Sequence, residues 1–253
     1  MNTTLAPTAQ TTVSSSNNSA SGAAPRFDMY LGIHKALRSF MSETLVRVGR
    51  ADATDADDLH AALEQLETLL ALCLSHIEHE NVFVHTAIEA RQPGGATRTG
   101  GDHVEHRDSI DALRAECAAV RNAAARVRPA LALRLYHHLS LFVAENFQHM
   151  HIEETVNNAA LWAAYSDAEL IEIHDRLVAS IAPAEFMLGL RWMVPALNPT
   201  ERAMLLGGVK AHTPPEAFLG LLAGVRPYID ARGWDKLASA VGVAPGFMQG
   251  GGV

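Results

Sequence analysis

Two four-residue steps carry the chemistry of this chain, His76 to Glu80 and His149 to Glu153. On an α-helix, residues i and i+4 are neighbours on one face, about 6 Å apart along the axis. Each step sits inside an apolar stripe. Leu59, Ala62, Leu66, Leu69, Cys73, His76, Glu80, Phe83 and Ala87 are spaced alternately by 3 and 4. Leu135, His138, Phe142, Glu145, His149, Ile152/Glu153 and Val156 form a second stripe of the same kind. An imidazole and a carboxylate thus occupy consecutive rungs where leucine ordinarily stands. Burying either without a partner is costly, and a metal ion is the partner that suits both.

An internal repeat extends the pattern. His34 precedes His76 by 42 residues and His106 precedes His149 by 43, so each half reads His…His-x-x-x-Glu. Facing each other in one interior, His34, His76, Glu80, His106, His149 and Glu153 would deliver four imidazoles and two carboxylates. That set suits two transition metals roughly 3.5–4 Å apart, bridged by both carboxylates. Imidazole with carboxylate favours iron, manganese or zinc over calcium or magnesium.

The chain holds five His-x-x-x-acid pairs, where about one is expected by chance. His60/Glu64 and His85/Glu89 fall off the stripe and read as solvated surface pairs, and His212/Glu216 is interrupted by Pro214 and Pro215. His103, one turn before His106, is an alternative or additional ligand. Glu145 and His138 are candidates for orienting an imidazole. Tyr30, one turn before His34, reads as a boundary tyrosine with its hydroxyl in water, or as a hydrogen-bonding group near the metals. His79, His137, His151 and His174 are assigned to surface or interface. Without a metal, Glu80 and Glu153 would be buried like charges with raised pKa values.

The elements that must position these groups are all helical. The spacing predicts long helices over residues 26–49, 54–91, 102–127 and 129–165, with PGGATRTGG breaking the chain between the second and third. Acids cluster at the start of the second, as the helix dipole favours. No strand-like alternation is present. The expected fold is all-α: an antiparallel up-down-up-down four-helix bundle over residues 26–165. A small all-α appendage follows over 166–253. There Ser166-x-x-Glu169 and Thr213-x-x-Glu216 read as capping boxes, Pro183, Pro199 and Pro214 as first-turn prolines, and Pro195 as a stop. Residues 1–25, rich in Ser, Thr, Asn and Ala, read as a disordered tail without the features of a signal peptide. The closing GFMQGGGV reads as frayed.

These residues resemble the hemerythrin-like, HHE cation-binding family. The match is carried by His34, His76-Ile-Glu-His-Glu80, His106 in DHVEHRDSI and His149-Met-His-Ile-Glu153, over about residues 27–160. The resemblance implies a four-helix bundle around a non-haem, carboxylate-bridged pair of irons. Oxygen-carrying hemerythrins have a fifth histidine four residues before the third-helix ligand, where this chain has Asp102. They also place the last carboxylate five residues after its histidine, which here selects Glu154, whereas the internal repeat selects Glu153.

With four protein donors on each metal, coordination positions remain for a small exogenous ligand. The expected function is binding or reduction of dioxygen, peroxide or nitric oxide in a sensing or protective role. The alternatives are an iron- or oxygen-responsive regulatory protein, and iron storage or delivery without turnover. A net charge of −8 gives no reason to expect nucleic acid or a membrane surface as partner. Cys73 and Cys117 read as small core residues. The chain is expected to be cytoplasmic, with the C-terminal region as a candidate surface for homo-oligomer formation.

Overall fold

A computed structural model describes residues 26–244, and every regular element in it is helical. The tail at 1–25 and the closing GFMQGGGV lie outside the described residues.

Helix α1 spans Leu31–Arg50, starting five residues later than the periodicity predicts. The Asp28 carboxylate accepts the backbone N–H groups of Tyr30 and Leu31, which holds residues 26–30 outside the helix. Helix α2, Ala56–His79, is capped by Asp55, whose side chain accepts from Asp57 and Asp58. The helical path then passes through a π-helical segment, Glu80–His85, into α3, Thr86–Arg91. The break that follows is shorter than PGGATRTGG. Gly94 takes a left-handed φ of 84°, a conformation that suits glycine. The Glu89 carboxylate ties down the N–H groups of Gly94 and Ala96. Helix α4 begins at once and runs Thr97–Asn122, absorbing TRTGG and ending short of the predicted Val127.

Helix α5, Arg128–Ile152, repeats the design of α2. It passes through a second π-helical segment, Glu153–Asn157, into α6, Asn158–Ala164. Both π segments start at the glutamate of a His-x-x-x-Glu step. A π turn closes i to i+5 and is found mostly as single turns at functional sites.

Helix α1 packs on α2 and α5, and α4 packs on α2 and α5, closing a ring of four. Neighbours run in opposite senses: Arg47 near the end of α1 pairs with Asp58 at the start of α2 (2.7 Å), and Arg121 at the end of α4 with Glu64 early in α2 (3.2 Å). Leu37, Phe40, Met41, Leu66, Leu70, Ile110, Leu113, Leu139 and Phe142 fill the ring's interior. A second apolar cluster, with Met29, Tyr30, Val84, Ile88, Leu161, Leu170 and Ile173, closes its other end.

The remaining helices are α7 (Asp167–Ser180), α8 (Pro183–Ala196), α9 (Pro199–Ala211), α10 (Pro215–Val225) and α11 (Ala231–Val241). Ser166 and Glu169 form the expected capping box. The box expected at Thr213 is absent, because α10 starts two residues later, at Pro215, without a side-chain cap. Asn198 and Glu201 form one that was not predicted. Pro195 is one residue from the end of α8, consistent with its reading as a stop. Helix α7 lays Leu170 and Ile173 on the end cluster, while α8–α11 build a core of their own around Leu206, Phe218, Leu222 and Trp234. Among the described residues, no single helix is long and apolar enough to cross a membrane.

Candidate metal centre

Between the two apolar clusters of the four-helix ring lies a layer of buried polar groups. His34 comes from the first turn of α1, His76 from the last turn of α2, His103 from the second turn of α4 and His149 from the last turn of α5. Glu80 and Glu153 open the two π segments. His34 and Glu153 are fully buried, and Glu80, His103 and His149 are at most 5% exposed.

The donors form two sets: His34, His76, Glu80 and Glu153, and His103, His149, Glu80 and Glu153. Both carboxylates belong to both sets, one oxygen to each. Glu80 Oε1 lies 3.2 Å from His76 Nε2 and 3.6 Å from His34 Nε2, while its Oε2 lies 3.3 Å from His103 Nε2. Glu153 Oε2 lies 3.4 Å from His34 Nε2, and its Oε1 is 3.2 Å from His149 Nε2 and 3.6 Å from His103 Nε2.

These residues fit a metal pair. Donors each about 2.1 Å from one ion, at tetrahedral to octahedral angles, stand roughly 3.0–3.4 Å from one another. The observed separations are close to that. All four carboxylate oxygens and the Nε2 atoms of His34 and His76 are buried without a hydrogen-bond partner. Orphaned polar atoms are costly and uncommon in native interiors. His103 Nε2 and His149 Nε2 stand 3.0 Å apart.

The far sides of three rings explain why Nε2 faces inward. His34 Nδ1 is 3.1 Å from Glu154 Oε1, His149 Nδ1 is 3.1 Å from Asp102 Oδ2 and His103 Nδ1 is 2.8 Å from Asn81 Oδ1. Each of those oxygens is an acceptor, so each Nδ1 donates, and each Nε2, once free of any proton, presents its lone pair to the centre. At His103 and His149 two such lone pairs confront each other, and only a cation or a shared proton can hold them there. Ligating histidines are ordinarily fixed in this way.

Glu154 is therefore an orienting group, held in turn by Arg38 one turn below His34, with 2.9 Å from Nη2 to Oε2. Burial works against its charge, but His34 and Arg38 hold its carboxyl down at about 2. Replacing Glu154 with alanine should weaken metal binding by about 10- to 100-fold without abolishing it. Competition with a chelator of known affinity measures this; an unchanged affinity would show that His34 needs no such support.

Charge within the layer is balanced in a way opposite to the raised carboxyl values that a metal-free centre was expected to show. Burial pushes both Glu80 and Glu153 upward, and the charge of Glu153 adds to this at Glu80, yet the facing imidazoles outweigh it. Glu80 falls to about 2 and Glu153 well below the ordinary value. Burial likewise opposes charge on the histidines, but Glu153 and Glu80 raise His103 to about 9 and, joined by Glu154, lift His34 well above its usual value. His149 is raised too, chiefly by Glu153 against the burial penalty. His76 is the exception: burial takes it down to about 4.

Five of the six predicted ligands converge: His34, His76, Glu80, His149 and Glu153. His106 does not join them. It is buried beside the centre, its ring edge-on to His149 at 4.9 Å, with Nδ1 unpartnered. Burial and then the neighbouring His149 and His103 lower it to about 4. His103 takes the expected place, because the centre lies level with the early turns of α4 and His106 is about 4.5 Å further along the axis.

His85, read from the sequence as a surface residue, is also here. It is 7% exposed, stacks on His103 at 4.7 Å, contacts Thr99 Oγ1 at 3.2 Å and lies 3.9 Å from Glu153 Oε1. The π turn brings it inward: five residues after Glu80 it shares that face, while Phe83 is left half-buried. The signal available beforehand was its five-residue distance from Glu80, legible only to someone expecting a π turn. Glu145 is exposed and orients no imidazole, and His138 meets Glu116 at 3.5 Å away from the centre. Tyr30 is not a wetted boundary residue. It is 1% exposed, its hydroxyl accepts the Asn157 amide N–H at 3.3 Å, and Asn157 also reaches Thr99.

No protein-family model matches the chain, and no curated protein matches it.

Proposed function

We propose that this chain is a hemerythrin-like protein: an antiparallel four-helix bundle holding two irons, with manganese or zinc as the alternative metals. It would bind or reduce dioxygen, peroxide or nitric oxide in a sensing or protective role in the cytoplasm. The observation that carries the reading is the sharing of Glu80 and Glu153 between two donor sets. One metal would call for one set; two carboxylates each facing both sets call for a pair.

An iron pair supplies one-electron redox chemistry and open coordination positions for a small ligand. The chain's own residues do the rest. Glu80 and Glu153 would hold both positions, with His34 and His76 at one and His103 and His149 at the other. With His103 as the third-helix ligand, the position four residues earlier, where an oxygen carrier has a further histidine, is Thr99, while Asp102 serves as acceptor for His149 Nδ1. That leaves more room at the His103/His149 position, which favours reactivity over reversible storage. The apolar clusters above and below exclude water. Burial, then the charges of Glu153 and Glu80, keep the Tyr30 hydroxyl protonated. With its oxygen accepting from Asn157, that hydroxyl retains its hydrogen for donation within the layer.

The test is metal content of natively purified protein together with its optical spectrum with and without azide. About two irons per chain are expected, with charge-transfer bands that move on adding azide. Zinc or no metal, persisting after anaerobic reconstitution with iron, would sink the redox reading.

A further inference from the structure

The C-terminal helices grip the chain at residues beside the metal donors. Glu201, in the first turn of α9, holds the Lys35 ammonium with both carboxylate oxygens, at 2.7 and 2.8 Å, and Lys35 directly follows His34. Glu185, in the first turn of α8, accepts the hydroxyl of Ser75, which directly precedes His76. The same carboxylate lies 3.8 Å from Nδ1 of His79, the residue before Glu80. Between these ties Trp192 stacks on Phe40, with ring centroids 3.9 Å apart and planes 11° from parallel. Met193 lies so close to Gly32 that a Cβ there would come within 3.2 Å of its sulfur.

We propose that α8 and α9 form a clamp on one of the two metal positions, the one held by His34 and His76. The inference rests on the dinuclear reading above. His34 sits in the first turn of α1, behind the irregular residues 26–30, and helix ends open more readily than their middles. Its Nε2 meets Glu80 only while α1 keeps its placement against α2, and Glu153 only while α1 keeps its placement against α5; α8 and α9 tie α1 and α2 at Lys35 and Ser75. Each of these ties lands on α1 or α2, whereas His103 and His149 stand on α4 and α5. Lys35, Ser75, Glu185 and Glu201 are thus positioning residues for one metal of the pair, and the C-terminal unit makes that metal the slowly exchanging one.

Zinc-loaded full-length protein, chased with an excess of chromogenic chelator, tests this without any appeal to turnover. In the Glu185→Ala/Glu201→Ala variant, one of the two zinc ions should leave roughly tenfold faster, with the other unchanged. Hydrogen exchange should rise over the first turns of α1. Because a double alanine variant can lose more than its ties, the second arm is a charge exchange. Glu201→Lys alone should speed release of one ion, and adding Lys35→Glu should restore it. Unchanged release of both ions, equal acceleration of both, or a charge exchange that fails to restore release would overturn the clamp alone. Fewer than two zinc ions in the wild-type chain would overturn the dinuclear reading and the clamp with it.

Discussion

If Glu80 and Glu153 bridge two metals as proposed, replacing Glu153 with alanine should empty both positions, not one. Its two oxygens face different donor sets, Oε2 toward His34 at 3.4 Å and Oε1 toward His149 at 3.2 Å. Truncation therefore removes an anionic donor from each metal and the bridge between them. It also leaves His34, His103 and His149 without the carboxylate that most favours their charge, in a layer closed to water. The contrast is His76→Ala, which touches one set only and should leave about one metal per chain. Metal analysis of the two variants separates the cases. Thermal unfolding supplies a second readout: with free metal a thousandfold above its Kd, wild-type protein gains about 4 kcal/mol, and Glu153→Ala should gain nothing. A Glu153→Ala protein that keeps one tightly bound metal would show that the carboxylate serves a single position.

Metal affinity should climb steeply with pH. In the metal-free protein His103 titrates at about 9 and His34 and His149 above the ordinary histidine value, because Glu80 and Glu153 face them. At neutral pH His103 and His34 carry protons that a metal must displace, and His149 is shifted in the same direction. Glu80, at about 2, and Glu153, well below its usual range, are already ionised and release none. Loading two metals should therefore expel roughly two to three protons. The sign follows: as pH falls through these raised values, protons compete and affinity drops, whereas above them the dependence flattens. Calorimetry in two buffers of different ionisation enthalpy counts the protons directly. Release of none between pH 6 and 8 would mean that the imidazoles are already neutral.

Much of this centre was legible in the chain. Stripes of 3 and 4 place His76, Glu80, His149 and Glu153 on inward faces because helical periodicity decides which residues leave water. Asp55 and Ser166 announce helix starts through local hydrogen bonds that need no partner from afar. The duplicated His-x-x-x-Glu step, with His34 upstream, is enough to indicate a buried cluster able to hold metal.

What the sequence left open, or led astray, depends on geometry that periodicity does not contain. His85 was lost because a π turn changes the phase of the helix after Glu80, and nothing in a 3.6-residue period signals it. His103 and His106 share a stripe, and only the axial level of α4 against α5 decides which imidazole meets Glu153. Glu153 and Glu154 are neighbours whose side chains leave the helix about 100° apart; the placement of α1, with His34 and Arg38 one turn apart, turns one into a candidate ligand and the other into its neighbour's support. Lys35–Glu201 and Ser75–Glu185 join residues more than a hundred positions apart. Residue types and local spacing determined that buried histidines and glutamates able to hold a metal ion gather in this chain. Only the packing of separate helices decided which histidines face it, which acids orient them, and that the C-terminal helices close on one side.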